Sequence, residues 1–142
     1  MTPGRLLIAA VLATLTPLAA AQAGNVTVRV LNVKGARGVV RAAVCTREIF
    51  LKPSCEFGAS VPAHPGVVVL TVRNVPPGTY AAVAHHDANA NGVVDQNLLG
   101  IPTEGIGFSR DAPINFGPPR FDAAAFKVGD ALVTIDITLK FE

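Results

Sequence analysis

The sequence predicts an all-β fold, a single antiparallel β-sandwich of about seven strands, and three observations carry that expectation. Apolar and polar residues alternate at period two in several stretches, the pattern of strands with one buried face. No stretch beyond residue 23 has an apolar period near 3.6 that would support an amphipathic helix. Thirteen Gly and 11 Pro in 142 residues fall mainly where the alternation breaks, so the chain is punctuated by turns.

The elements follow in order. Residues 1–23 read as an export signal. Arg5 and the amino terminus form a basic start, Leu6–Leu15 an apolar run, and Pro17 precedes the small-residue sequence Ala21-Gln22-Ala23, with cleavage expected after Ala23. The apolar run is about half the roughly 20 residues needed to span a bilayer. The mature chain then comprises residues 24–142, enough for one domain. Val26, Val28 and Val30 alternate with Thr27 and Arg29 in a first strand over about 26–33. Lys34–Gly38 reads as a turn and Val39–Cys45 as the returning strand, so the two together suggest a hairpin.

A loop is expected across the cysteines, marked by Pro53, Pro62 and Pro65. Val67–Val75 is rich in β-branched residues and reads as a buried strand; Pro76-Pro77-Gly78 turns the chain into another, Thr79–His86. The clearest element is the last, where Val133, Ile135, Ile137, Leu139 and Phe141 alternate with more polar neighbours. Between Asp87 and about Asp122 lies a long Gly- and Pro-rich segment, with short strands expected near Ala112–Phe116 and Ala124–Val128. Its apolar residues, from Leu98, Leu99 and Ile101 to Ile114, Phe116 and Phe121, are expected to anchor it, and long ordered loops of this kind are usually functional.

Charge and cysteine content narrow the possibilities. The chain carries 12 Lys and Arg against 10 Asp and Glu, and loss of Arg5 with the signal leaves 11 against 10. That near balance, without a basic run, gives no electrostatic footprint for nucleic acid, and no second apolar segment reaches membrane length. Cys45 and Cys55 are separated by nine residues. In an exported chain they are expected to form a disulfide, stabilising the fold by roughly 2.5–3 kcal/mol. A redox pair ordinarily has two intervening residues, and two cysteines are too few for a thiolate zinc cage.

The sharpest chemical signal is Asp87-Ala88-Asn89-Ala90-Asn91-Gly92-Val93-Val94-Asp95. Oxygen-bearing side chains occupy relative positions 1, 3, 5 and 9, glycine occupies position 6, and Val93 at position 7 would offer its carbonyl, which is calcium-loop spacing. A hard cation needs several oxygens on one concave surface, and alternate residues of a tightly wound loop supply them. Position 12 is Leu98 in place of the usual Glu, so Glu104 would have to fold back to complete the shell. With no flanking helices the loop is not an EF-hand, and its calcium affinity is expected at about 10⁻⁴–10⁻³ M. The competing account is a metal-free ladder of Asx turns.

Other chemistry is less well supported. His85 and His86 are adjacent on a predicted strand and so face opposite ways; one of them could join Asp87 with His64 or Glu104, but structural roles suffice. Ser54, Ser60 and Ser109 are the only serines, and none lies in a G-x-S-x-G elbow. A glycosidase-like carboxylate pair could be drawn from Asp87, Asp95 and Glu104, although the calcium spacing accounts for them more simply. Gly100–Ser109 and Phe116–Phe121 could form a binding surface, or a cover in which Phe108, Phe116 and Phe121 plug the core.

Three ordered motifs give the chain a resemblance. They are His86-Asp87-x-Asn89-x-Asn91-Gly92-x-x-Asp95, Gly100-Ile101-Pro102-x-Glu104-Gly105-x-Gly107-Phe108-Ser109 and Gly117-Pro118-Pro119-x-Phe121-x-x-Ala124-x-Phe126. Together they resemble the exported bacterial family catalogued as domain of unknown function 2141, over essentially the whole mature chain. The resemblance implies a secreted or periplasmic β-sandwich with no established activity, and the cysteine pair is not among its motifs. Val75-Pro76-Pro77-Gly78-Thr79-Tyr80-Ala81 is more weakly similar to the transthyretin-like and carboxypeptidase-regulatory sandwiches, a statement about immunoglobulin-like or transthyretin-like architecture and not activity.

The resulting expectation is an exported, non-catalytic module with calcium at Asp87, Asn89, Asn91, Val93, Asp95 and Glu104. It would have a binding or structural role in the cell envelope, with an exported protein or a carbohydrate as partner. The alternative is a small metal-dependent hydrolase using Asp87, Glu104 and a histidine.

Overall fold

Val26, Val28 and Val30 are completely buried, and they lie on the first strand of the fold, β1 (Gly24–Val33). The computed structural model describes residues 15–141. Most of the predicted export signal, residues 1–14, lies outside the described residues, and residues 15–23 are exposed and irregular. Seven further strands follow: β2 (Val39–Cys45), β3 (Phe57–Pro62), β4 (Gly66–Val75), β5 (Gly78–Asp87), β6 (Ile106–Phe108), β7 (Phe126–Val128) and β8 (Val133–Thr138). A single helical turn, α1 (Phe121–Ala124), precedes β7.

The strands form two facing sheets, so the predicted all-β sandwich is the observed architecture. The first has the order β4-β1-β8; the second has the order β3-β2-β5-β6, with β7 beside the start of β5. Between them the alternate residues Val26, Val28 and Val30 of β1 and Val68, Leu70 and Val72 of β4 meet Val40, Ala42 and Val44 of β2 and Ala82 and Ala84 of β5. Full burial of each valine or leucine side chain stabilises the fold by roughly 1.5–3 kcal/mol. Tyr80 closes one end of this layer, its hydroxyl donating to the Pro76 carbonyl at 2.7 Å and its ring meeting Phe57 edge-on at 6.0 Å.

Several local expectations are corrected. β1 and β2 are not a hairpin, because β1 pairs with β4 and β8 while β2 pairs with β3 and β5. The register slips between Val30 and Val33, where Asn32 adopts a positive φ of 65° and its side-chain amide bonds the Leu139 carbonyl at 2.8 Å. That irregularity carries the chain across to the other sheet. The sandwich is also not purely antiparallel, since β1 and β8 run parallel from Val26–Val133 to Leu31–Thr138.

The cysteine loop holds β3, whose weak pattern hid it. The strand expected at Ala112–Phe116 is irregular, and β6 forms earlier. Gly107 at the centre of β6 lies against β8, where a Cβ would overlap the Thr138 carbonyl oxygen and an Ile137 methyl. Paired bonds between Ile106 and Lys140, at 2.9 and 3.1 Å, stitch that seam between the sheets.

Candidate functional site

Alternation on β2 and β5 sends every second side chain away from the inter-sheet core, onto the outer face of the second sheet. One end of that face carries a second apolar cluster. Phe50 packs edge-on against Phe108 and Phe121, at 6.0 and 5.8 Å, over Cys45, Ala81 and Ala124. Cys45 and Cys55 are joined as expected, with Cα atoms 5.1 Å apart, and hold the 46–56 loop on this cluster. Ser109 is buried in its floor, accepting from Ala82 N at 2.9 Å and donating to the Ala124 carbonyl at 2.5 Å. Phe108 and Phe121 therefore serve as the predicted cover. Phe116 does not: it is fully exposed, with φ of 56°.

The other end of the same face is polar. Arg41 on β2 lies directly opposite His85 on β5, and His85 lies opposite Ile106 on β6. Asp87, the last residue of β5, shares their face and is completely buried. Its Oδ2 accepts from Arg41 Nε at 2.7 Å and from Gly92 N at 2.9 Å, while Oδ1 accepts from Asn91 N at 3.0 Å. Burial alone would raise the Asp87 pKa. The Arg41 guanidinium and the two amides outweigh it and hold the carboxylate below its ordinary range.

From Asp87 the chain winds through a tight loop, with Gly92 at φ 83°, a conformation that glycine adopts freely. Asn89 Oδ1 accepts from Asn91 N at 3.2 Å and Asn91 Oδ1 from Val93 N at 3.1 Å. The amide nitrogens of Asn89 and Asn91 both donate to the Asp95 carboxylate, at 2.6 and 2.8 Å. Glu104 folds back onto the loop, where its two oxygens accept from the main chain, Ala88 N at 3.1 Å and Asp95 N at 3.2 Å. The loop thus brings together Asn89, Asn91 and Asp95 at its exposed end. Asp87 is shared between Arg41 and the Asn91 and Gly92 amides, and Glu104 braces the two ends of the loop through their main chain.

The fit to a cation is partial. The glycine-centred winding suits a hard ion, but the Asn89 and Asn91 side chains turn their N–H groups, not their oxygens, toward Asp95. Arg41 already supplies positive charge at Asp87, and N–H donors engage the oxygens at 87, 89, 91, 95 and 104. Among the described residues no three His, Cys, Asp or Glu side chains group closely enough to hold a metal.

The two adjacent histidines do face opposite ways. His86 is buried, its Nε2 2.8 Å from the Arg37 carbonyl. His85 faces outward, and its Nε2 is buried without a hydrogen-bond partner among the described residues. Burial is the largest influence on His85 and holds its pKa below the ordinary value, against the opposing pull of Asp87 and Glu104. His64 lies in the link between β3 and β4, and its polar contact is with the carbonyl of its neighbour Pro65.

Beyond Asp95, a second Asx-centred turn escaped the sequence reading. Asn97 Oδ1 accepts from Leu99 N and Ile101 N at 2.9 and 3.0 Å, and Thr103 N bonds the Asp95 carbonyl at 2.9 Å. The Asn-Leu-Leu-Gly sequence was the available signal. Leu98, Leu99 and Ile101, expected as anchors, are instead exposed. Between this segment, the 114–118 loop and the 51–55 loop the sheet face forms an open groove of about 1400 Å³, floored by Arg41, Val83, His85 and Ile106. Arg41 was not singled out from sequence, because a lone arginine on a strand carries no distinctive pattern.

These features define a class: a disulfide-linked, two-sheet β-sandwich with an open groove on one outer face. The chain belongs to the bacterial family described as an uncharacterized protein conserved in bacteria (DUF2141), which matches residues 28–136 and so confirms the resemblance drawn from the motifs. No curated protein and no solved structure matches the chain.

Proposed function

We propose that the chain is an exported, non-catalytic binding module, whose Asp87–Asp95 loop takes up calcium and steadies a roof over the groove. The observation that carries this reading is the wound loop itself: the Asp87 and Asn91 side-chain oxygens accept the N–H groups of Asn91, Gly92 and Val93 at the positions the spacing sets, and Gly92 turns the chain at positive φ. Asn89, Asn91 and Asp95 are the donors at its exposed end. The Val93 carbonyl and the Asp87 and Glu104 carboxylates complete the expected set. Export is supported by the signal-like first 23 residues and the disulfide, and among the described residues no helix is long and apolar enough to cross a membrane.

The non-catalytic reading is supported by the commitment of the carboxylates. A hydrolase built on Asp87, Glu104 and His85 needs a free carboxylate, yet both carboxylates are engaged by donors on each oxygen, and only the His85 imidazole has a nitrogen without a partner among the described residues.

Thermal melts of the mature chain test the ion. At about 10 mM calcium and the affinity above, mass action gives roughly 1.4–2.7 kcal/mol, a rise of about 5–10 °C in Tm. EDTA should remove the rise, and Asp95→Ala should abolish it. An unchanged Tm in calcium overturns the ion assignment and leaves the arginine-clamped loop as a metal-free Asx ladder. Turnover on a hydrolase substrate panel that vanishes in Glu104→Ala would establish the catalytic alternative.

A further inference from the structure

The groove on the outer face of the second sheet has a chemistry of its own. Its rim gathers Leu51, Val93, Leu99, Ile101 and Phe116, contributed by three separate loops and all exposed. Large apolar side chains from unconnected loops rarely converge in water without a ligand to cover them. The floor between them is apolar as well, with Val83 of β5 and Ile106 and Phe108 of β6. A groove of about 1400 Å³ exceeds the roughly 300–1,000 Å³ of common small-molecule sites, so it has room for an extended occupant.

Its polar groups are mainly donors. Arg41 uses Nε on Asp87, and its two terminal nitrogens have no acceptor among the described residues. Lys52 and Lys140 also line the groove, as does the His85 imidazole, whose buried Nε2 has no hydrogen-bond partner among the described residues. Glu104 is the one carboxylate in the lining, and both its oxygens already accept main-chain N–H bonds. Counting Asp87 behind Arg41 as well as Glu104, three cations still stand against two carboxylates around a largely apolar trough. A carbohydrate would leave that apolar surface uncovered, and a neutral hydrocarbon would leave the donors unpaired, which is costly once they are desolvated.

We propose that the groove binds a single-chain amphiphile with an anionic head, a fatty-acid-type carboxylate. Its head lies toward Arg41 and His85, and its alkyl chain lies across Val83, Ile106 and Phe108 beneath Leu99 and Phe116. This assignment rests on the binding-module reading but not on calcium.

Isothermal titration of the mature chain with decanoate, below its micelle-forming concentration, tests it in buffer with calcium and in buffer with EDTA. Decanoate should bind with one-to-one stoichiometry, 1-decanol about tenfold more weakly for want of the charge-assisted bonds, and butyrate not measurably. The double substitution Leu99→Ser with Phe116→Ser removes two exposed side chains, which the fold does not need, and should weaken decanoate binding by about tenfold or more. Arg41→Gln, with folding checked by its melt, should bring decanoate down to the level of decanol. Val69→Ser, on the exposed face of the other sheet, should leave the affinity unchanged.

Absence of decanoate binding, equal affinity for decanoate and decanol, or binding only to anionic phospholipid vesicles would each overturn the proposal. Decanoate binding without any calcium effect on Tm would sink the ion assignment alone, and a calcium effect without decanoate binding would sink the amphiphile alone.

Discussion

The outer face of the second sheet is closed at one end by Phe50, Phe108 and Phe121 and at the other by the Asp87–Glu104 loop. The aromatic end excludes water by packing, and a disulfide holds its 46–56 loop in place. The acidic end is built from N–H donors aimed at side-chain oxygens, with only Arg41–Asp87 as a partly buried ion pair. Packing fills the space beneath it, whereas a hydrogen-bonded loop can arch over a surface without filling it. The groove lies between the two closures, lined by the 51–55 and 114–118 loops on one side and by the segment from Gly92 to Glu104 on the other.

The largest effect that should sharpen this contrast is at the aromatic end. Phe50 sits between its two partners, and Phe50→Ala leaves a cavity that neither can fill without losing contact with Ala81 and Ala124. The expected cost is about 3–4 kcal/mol, read as a lower urea midpoint with an unchanged m-value. A loss below about 1 kcal/mol would mean that the disulfide, not packing, holds this end.

At the acidic end the corresponding substitution is Asp87→Asn, which keeps the shape and removes the charge facing Arg41. Breaking a buried pair costs about 3–5 kcal/mol, but the Arg41 side chain is 35% exposed, so screening reduces the expectation to about 2 kcal/mol. The effect should depend on pH. Because the native Asp87 pKa is depressed, its contribution is fully present above the ordinary carboxylate value of about 3.9. It is lost as the pH falls through the lower native value. The native chain and the variant should therefore converge in stability in acid, as urea unfolding at neutral and acid pH would record. A difference that persists undiminished would assign the effect to shape, not charge.

The contrast also explains what could be read from the sequence. The sandwich core was legible because Val26, Val28 and Val30 or Val68, Leu70 and Val72 repeat at the strand period, and burial rewards that pattern directly. The Asp87–Asp95 loop was legible because Asx side chains and a glycine act over two to five residues, and the bonds from Asn91, Gly92 and Val93 appear where that spacing puts them. Long-range pairing was not. A turn-like Lys34–Gly38 says nothing about which sheet receives the next strand, and the crossing depends on Asn32 reaching Leu139, 107 positions away. Arg41 was invisible for the same reason, since its role exists only once β2 lies beside β5.

The hydrophobicity of the roof was legible, but its direction was not. Leu98, Leu99 and Ile101 read as anchors on the assumption that large apolar residues in a long loop turn inward. The Asn97 turn instead fixes the main chain through its own side chain, relieving those residues of any packing duty. The smallest effect follows from this. Leu98 is fully exposed, and Leu98→Ser should change the unfolding free energy by no more than about 0.5 kcal/mol, while Asn97→Ala, which removes two bonds to the main chain, should cost about 1 kcal/mol. Paired melts decide the matter. If the leucine proves the more costly of the two, the roof is held by apolar contact after all, and the distinction between its closure and that of the aromatic end disappears.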